Sequence, residues 1–232
     1  MGLVSLCLFM LVVGFREIRS TAVAKELESS FLKLEEKAKA PQQGGIVFTG
    51  ASSVAYWDSL GSDMKPLAVV NTAYGGAEYT DLTPQIDRLV VAYHPVAVVV
   101  YAGDNDLATP GRKTPQSVAR DALEFVETVH AKLPDTWVYV LSIKPSYARW
   151  DQWPQMKEAD GLIQDELRGQ DRAEFIDVAT PMFDANGKLP RDFFVFDGLH
   201  PSAKCYLVWT AAIKPVLLKR FGPAASSSQK PS

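Results

Sequence analysis

The sequence has few of the residues that build disulfide scaffolds and metal sites. Its 232 residues include only two cysteines, Cys7 and Cys205, and three histidines. Two cysteines are too few for a disulfide framework or a zinc ribbon, and three histidines limit the number of imidazole-based metal sites. A charge excess is also absent, because 24 Lys and Arg face 27 Asp and Glu for a formal net charge of -3. This balance gives no electrostatic reason to expect nucleic acid or an anionic membrane as the main partner.

Apolar runs long enough to cross a membrane are absent as well. The near-continuous apolar run Leu3–Phe15 is shorter than the roughly 20 residues that span a bilayer. It is typical of the hydrophobic region of a secretory signal, and Ala22-Val23-Ala24 offers a small-residue cleavage site. Residues 1–24 are therefore predicted to be a signal peptide or, if uncleaved, a membrane anchor, with a buried N-terminal helix as a third interpretation. We expect an exported protein, periplasmic or secreted, that meets a membrane only if this segment stays uncleaved.

The remaining chain is typical of one globular domain. A composition that is 47% hydrophobic and 22% charged excludes wholesale disorder. Single cores rarely grow beyond roughly 250–300 residues, so the length also favours one domain. Residues 25–222 are predicted to form it, and the polar residues 223–232 are predicted to be a disordered tail because they have nothing to bury.

Five short apolar runs predict the strands of a parallel sheet. They are rich in Val and Ile and do not alternate with polar residues, which indicates strands covered on both faces. The runs are Gly45–Thr49, Leu67–Asn71, Val96–Tyr101, Trp137–Ile143 and Glu174–Val178. Amphipathic patterns predict helices over Leu27–Ala38, Leu82–Tyr93, Val118–Leu133, Gln155–Leu167 and Ala203–Arg220. Strands that alternate with helices predict a three-layer α/β/α sandwich with a parallel, flavodoxin-like five-stranded sheet.

Helix starts are marked by two Thr-Pro pairs, Thr83-Pro84 and Thr114-Pro115. In each pair the threonine can cap the helix and the proline fits its first turn.

Polar segments with glycine follow the predicted strands, where an open parallel sheet binds its ligands. Each segment alone is weak evidence, because Gly and Ser are ordinary turn residues. Together they converge on one edge of the sheet, which makes that edge the candidate site. The four segments are Gly50-Ala51-Ser52-Ser53, Asn71 to Gly76, Gly103-Asp104-Asn105-Asp106 and, before the last helix, Asp197-Gly198-Leu199-His200-Pro201.

These segments hold the residue types that acyl transfer through a serine requires. A serine hydroxyl becomes a good nucleophile when a base takes its proton, and histidine is the base suited to neutral pH. His200 can serve Ser52 in this way, while Asp197, three residues earlier, can fix the tautomer of the imidazole. Donors for the oxyanion of the tetrahedral intermediate are the Asn105 side-chain amide and the backbone N–H groups of Gly76 and Ser52.

In this order, the four segments resemble the signature blocks of the SGNH hydrolases, also called GDSL-type esterases. The resemblance runs from about residue 45 to about residue 217, and the stretches YAGDNDL and SIKPSYARWDQWPQM resemble a bacterial branch whose first block reads GSSS. It implies Ser52 as the nucleophile and His200 as the base, with Asp197 as the acidic partner of His200. It also implies Gly76 and Asn105 as the oxyanion donors. The Asp of the GDSL name is Ala51 here, and the neighbouring Gly75 leaves open which glycine donates.

The function implied by the resemblance is hydrolysis of carboxylic esters with short acyl or acetyl groups, such as acylated sugars or short-chain lipids, without a cofactor. One alternative is a catalytically silent domain of the same fold that binds a carbohydrate or a lipid. Another is a metal-dependent phosphoesterase in which Asp104 and Asp106 join Asp197 and His200. Such sites usually draw on more ligands, and the two aspartates suit turn formation equally well, so we expect no metal.

Several other residues have both a functional and an ordinary interpretation. Ser52 or Ser53 could cap the helix that follows them. His94 and His130 are interpreted as a surface connector and a helix residue without a role. Trp150 and Trp153 could line a substrate cleft or could pack their loop onto the domain.

Overall fold

The computed structural model describes residues 44–222, and its centre is a five-stranded sheet with the strand order β2-β1-β3-β4-β5. Every strand pairing is parallel. The strands are β1 (Ile46–Gly50), β2 (Val69–Asn71), β3 (Ala97–Tyr101), β4 (Trp137–Leu141) and β5 (Ala173–Ile176). β1 and β3 are buried along their whole length, as their continuous apolar runs predict. The predicted segments 1–24, Leu27–Ala38 and 223–232 lie outside the described residues.

The helices of the described chain include three long ones and four short ones. The short ones are α1 (Ser52–Ala55), α2 (Leu60–Asp63), α3 (Tyr79–Leu82) and α4 (Ile86–Leu89). The long ones are α5 (Pro115–Lys132), α6 (Trp153–Leu167) and α7 (Ala203–Phe221). The predicted cap of α5 is confirmed, since the Thr114 side chain accepts a hydrogen bond from the backbone N–H of Ser117. Within residues 44–222, no helix combines the length and the apolar character needed to cross a membrane.

The prediction of one continuous helix over Leu82–Tyr93 is wrong. The segment alternates between α-helical turns and 3₁₀ turns at Thr83–Gln85 and Val91–Tyr93. Pro84 has no N–H with which to continue the hydrogen bonding of α3. Thr83 does not cap a helix either, because its hydroxyl donates to the Tyr79 carbonyl at 3.0 Å. The apolar spacing nevertheless marks the buried face of the segment correctly.

Layers of helices cover the sheet, and the predicted α/β/α sandwich is confirmed. α5 packs along α6, and its Phe125 meets Tyr79 of α3 with ring centroids 6.3 Å apart. α7 packs against Tyr101 of β3 through Trp209, at a centroid distance of 5.2 Å. Trp209 also contacts Trp57, which follows α1, at 5.9 Å.

The sheet order reverses at β1, which has β2 on one side and β3 on the other. Ligands of open parallel sheets bind at such a reversal, beyond the carboxyl ends of the strands. Gly50 ends β1 there with φ +123°, and a Cβ at this position would lie 1.9 Å from the Tyr101 carbonyl oxygen. Only glycine fits this approach, and the next N–H, of Ala51, donates to that same oxygen at 2.8 Å. The end of β1 thereby carries Ser52 to the end of β3.

Candidate active site

Side chains from two distant parts of the chain meet above the reversal. Ser52 is the first residue of α1, and its Oγ lies 2.9 Å from Nε2 of His200. The other ring nitrogen of His200, Nδ1, lies 2.6 Å from Oδ2 of Asp197. The structure thus brings the three sequence-predicted residues into one hydrogen-bonded line, although Ser52 and His200 are 148 positions apart.

Asp197 is held in the ionised form. Desolvation acts to raise the pKa of the carboxyl. Hydrogen bonds from the His200 ring and from the backbone N–H groups of His200 and Leu199 outweigh this effect and lower the pKa from its usual 3.8 to about 2. The two backbone bonds reach Oδ1 at 3.0 and 2.8 Å. A carboxylate opposite Nδ1 keeps the proton on that nitrogen, so Nε2 is left free to accept the Ser52 hydroxyl proton.

A small hairpin, residues 193–202, carries Asp197 and His200. Its arms join at the antiparallel bridge between Phe194 and Pro201, and the Val195 N–H donates to the His200 carbonyl at 3.0 Å. His200 and Asp197 therefore belong to one locally closed unit that ends where α7 begins.

Helix capping does not compete for either serine. The residue that precedes α1 as its N-cap is Ala51, and no side chain caps this helix. The interpretation of Ser52 or Ser53 as the cap is therefore wrong. Ser53 lies buried, and the Tyr206 hydroxyl of α7 donates to its carbonyl at 3.0 Å.

The predicted oxyanion donors come from two loops that are tied together. Nδ2 of Asn105, in the loop after β3, donates to the Ala77 carbonyl at 3.0 Å. Ala77 directly follows Gly76, which has φ +76°, a conformation that favours glycine, and open space where a Cβ would stand. The Tyr74 N–H in turn donates to the Gly50 carbonyl at 3.0 Å, which fastens the glycine turn to the end of β1.

Arg149 contacts Asn105 on this side of the site, and the sequence analysis did not single it out. Its Nη2 donates to Oδ1 of Asn105 at 2.8 Å, and its Nη1 lies 3.0 Å from Oδ2 of Asp104. Arg149 belongs to the stretch SIKPSYARW that carries part of the family resemblance. No local spacing could link it to Asn105, because 44 positions separate them.

The aspartates that flank Asn105 are occupied by cationic partners. Asp104 pairs with Arg149 and with the fully buried Lys144, whose Nζ donates to its Oδ2 at 3.4 Å. Asp106 accepts from Lys113 at 2.8 Å and from the Gly103 N–H at 3.1 Å, so it forms the turn as the ordinary interpretation predicts. Across residues 44–222, no three His, Cys, Asp or Glu side chains are grouped so that they could hold a metal ion.

Comparison with known proteins identifies the family. The model of the GDSL-like Lipase/Acylhydrolase family matches residues 41–208. The chain belongs to this family. The resemblance noted in the sequence is thereby confirmed, and family membership supports ester hydrolysis by this acylhydrolase. None of the curated proteins compared with the chain matches it.

Solved structures share the fold of this acylhydrolase at low sequence identity. A protein from Streptococcus pneumonia, provisionally named a platelet activating factor, is 20% identical with a TM-score of 0.75, over 88% of this chain and 99% of its own. A GDSL-like lipase from Bacteroides thetaiotaomicron is 20% identical with a TM-score of 0.68, over 82% and 98%. A carbohydrate esterase family 3 protein from Talaromyces cellulolyticus is 16% identical with a TM-score of 0.61, over 76% and 97%. At these identities the likeness shows the fold alone.

Exposed aromatic residues border the acylhydrolase site. Tyr56 is 54% exposed, and the centroid of its ring lies 4.9 Å from that of the His200 ring. Phe196, beside Asp197 in the hairpin, is fully exposed. Sequence reasoning did not single out either residue, since neither lies in a block at a strand end.

The two tryptophans proposed for a substrate cleft both contact Phe183. The ring centroids of Trp150 and Trp153 lie 6.5 and 5.8 Å from that of Phe183. Trp150 keeps 46% of its surface exposed, whereas Trp153 is half-buried at the start of α6. The remaining histidines lie where the sequence predicts, His94 exposed before β3 and His130 half-buried on α5.

Proposed function

We propose that this acylhydrolase is a serine esterase that releases short acyl or acetyl groups from carboxylic esters through an acyl-enzyme on Ser52. One observation carries the proposal: Ser52 Oγ lies 2.9 Å from Nε2 of His200, whose Nδ1 lies 2.6 Å from an ionised Asp197. A serine in this environment gains a base that can take its proton as it attacks a carbonyl carbon.

The proposed reaction has two halves. In the first, Nε2 of His200 takes the Ser52 proton, Oγ bonds to the ester carbonyl carbon, and His200 then gives the proton to the departing alcohol. In the second, His200 takes a proton from the water that attacks the acyl carbon, and it then gives this proton to Ser52 Oγ as the bond between Oγ and the acyl carbon breaks and the acid leaves. Asp197 stays ionised throughout and stabilises the imidazolium.

The charge that develops on the substrate oxygen needs donors. The Asn105 amide has two N–H groups, of which one is bonded to the Ala77 carbonyl, so the other is available to the oxyanion. We assign the backbone N–H groups of Gly76 and Ser52 as the further donors. Each such donor typically contributes a factor of about 10²–10³ to kcat.

We propose an acylated sugar or a short-chain lipid as the small-molecule substrate. The alcohol must leave beside His200, which protonates it, and this side is bordered by the exposed ring of Tyr56. An exposed aromatic ring suits the apolar face of a sugar or a short alkyl chain. We include the half-exposed Trp150 in the proposed cleft, and Trp153 only as its support. The shared fold with a carbohydrate esterase is consistent with this choice.

Activity on p-nitrophenyl esters of increasing acyl length tests the proposal. We expect Ser52→Ala and His200→Ala to lower kcat by roughly 10³-fold or more, and a fluorophosphonate probe to label Ser52. Ser62→Ala is the matched control, because Ser62 is exposed and donates only to the Ser59 carbonyl. Wild-type rates in both variants would refute the mechanism. Folded protein that neither hydrolyses esters nor reacts with the probe would instead favour a binding domain.

We also propose that the esterase is exported. The proposal rests on the apolar run Leu3–Phe15 and the small-residue site Ala22-Val23-Ala24. Mass spectrometry of the protein recovered outside the cytoplasm should find a chain that begins at Lys25. A chain with an intact N-terminus in the membrane fraction would support the anchor, and an intact soluble cytoplasmic chain would refute export.

A further inference from the structure

The side-chain amide of Asn105 is held at both ends. Its Nδ2 donates to the Ala77 carbonyl at 3.0 Å, and its Oδ1 accepts from Nη2 of Arg149 at 2.8 Å. The two ends of an amide have nearly the same shape, so only the hydrogen-bond partners decide which end points where. A flipped amide would set Oδ1 against the Ala77 carbonyl and Nδ2 against the guanidinium, and both contacts would be repulsive.

Arg149 is itself held by Asp104, the residue that precedes Asn105 in the chain. Its Nη1 lies 3.0 Å from Oδ2 of the buried Asp104, next to Asn105 in the chain. A planar guanidinium presents two nitrogen atoms in a fixed orientation, so one side chain can hold a carboxylate and an amide oxygen together. Nζ of Lys144 lies 3.4 Å from Oδ2 of the same carboxylate, so Asp104 has a second cationic partner beside Arg149.

We propose that Arg149 is a positioning residue for the oxyanion hole. It binds Oδ1 of Asn105 and thereby keeps an amide N–H, rather than the carbonyl oxygen, directed at the substrate oxygen. By donating to Oδ1 it also polarises the amide, which strengthens the Nδ2–H donors. The proposal rests on the proposed esterase function, and it adds a residue that acts through Asn105 rather than on the substrate.

The expected kinetic signature follows from when the oxyanion exists. Negative charge appears on the substrate oxygen only as the tetrahedral intermediate forms, so a misdirected amide lowers kcat and leaves KM nearly unchanged. Loss of one donor costs about 10²–10³ in kcat, and an amide that points correctly for part of the time costs less. We therefore expect Arg149→Met to lower kcat for p-nitrophenyl acetate by about 10- to 100-fold, with KM within about twofold of wild type.

A double-mutant cycle tests whether Arg149 acts through Asn105. The four proteins are wild type, Arg149→Met, Asn105→Ala and the double variant. Once the Asn105 amide is gone, Arg149→Met should cause no further loss of kcat. An equal loss in both backgrounds would overturn the proposal, because Arg149 would then act independently. A rise in KM at unchanged kcat would also overturn it, because Arg149 would then bind the substrate.

Two further variants separate positioning from general structural damage. Arg149→Lys keeps a charge beside Asp104 but cannot reach both partners with a planar fork, so it should also lower kcat in the wild-type background and not in Asn105→Ala. Full activity in Arg149→Lys would refute a role for the guanidinium geometry. Arg168→Met is the control. Arg168 is the exposed C-cap residue of α6, and its ion pair is with Asp165 of the same helix. Unchanged activity in Arg149→Met alongside an inactive Ser52→Ala would refute this inference alone, whereas an active Ser52→Ala would refute the proposed function.

Discussion

Replacing Gly50 by alanine should unfold the protein more easily and displace Ser52. The new Cβ would stand 1.9 Å from the Tyr101 carbonyl oxygen, which is backbone and cannot rotate away, and φ would remain at +123°. Backbone strain of this kind costs about 1–3 kcal/mol. The hydrogen bonds Ala51 N–H to Tyr101 and Tyr74 N–H to Gly50 would also be lost, at about 1 kcal/mol each. The free energy of unfolding should therefore fall by about 3–5 kcal/mol.

Thermal unfolding followed by circular dichroism measures this effect. For a domain of this size, each kcal/mol shifts Tm by about 2–4 °C, so Gly50→Ala should melt roughly 6–20 °C below wild type. Gly161→Ala is the matched control: Gly161 is exposed inside α6, and a Cβ there would meet nothing within 4 Å. That variant should gain about 0.5–1 kcal/mol from helix propensity. If Gly50→Ala had the same Tm as wild type and kept full esterase activity, the close approach of β1 to β3 would not hold Ser52 in place.

Three further predictions concern the charges of Asp197 and Lys144. Asp197→Asn should lower kcat/KM for p-nitrophenyl acetate by about 10²- to 10⁴-fold, because a neutral amide no longer fixes the His200 tautomer; near-wild-type rates would contradict the assigned role. Since the pKa of Asp197 is about 2, this carboxyl should stay ionised at pH 4 and above. Any loss of wild-type activity in that range should therefore not come from protonation of Asp197. Burial lowers the pKa of Lys144 below 10.5, so the unfolded chain binds the proton more readily than the folded chain. Wild-type stability in urea should therefore rise relative to Lys144→Met as the pH increases from that lowered pKa towards 10.5, and a fall would contradict a buried ammonium at this position.

The parts of the site that lie at strand ends could be predicted from the sequence. Continuous apolar runs identify strands covered on both faces, and the topology of a parallel sheet then places whatever follows them at one edge. Ser52 and Asn105 come shortly after β1 and β3, so their placement at one edge of the sheet required no knowledge of side-chain contacts. His200 was found by a different signal, its spacing of three from Asp197.

Contacts across long sequence separations could not be predicted in the same way. Arg149 reaches Asn105 from the loop after β4, and no periodicity relates the two positions. The prediction of a continuous helix over residues 82–93 failed for another reason, because the spacing of apolar residues hardly distinguishes an α turn from a 3₁₀ turn. Tyr56 lies just after α1, and only the folded chain shows that its ring faces His200.

The hairpin that carries Asp197 and His200 holds these two residues together as one unit. Bonds inside residues 193–202 fix the carboxylate and the imidazole relative to each other, so a force on the exposed Phe196 moves both together. The carbonyl of Gly198 accepts from the Ala148 N–H at 3.1 Å, one residue before Arg149. A small displacement of the hairpin would therefore change the gap between Nε2 and Ser52 Oγ while the imidazole–carboxylate bond survived, and it would also pull on the loop that carries Arg149.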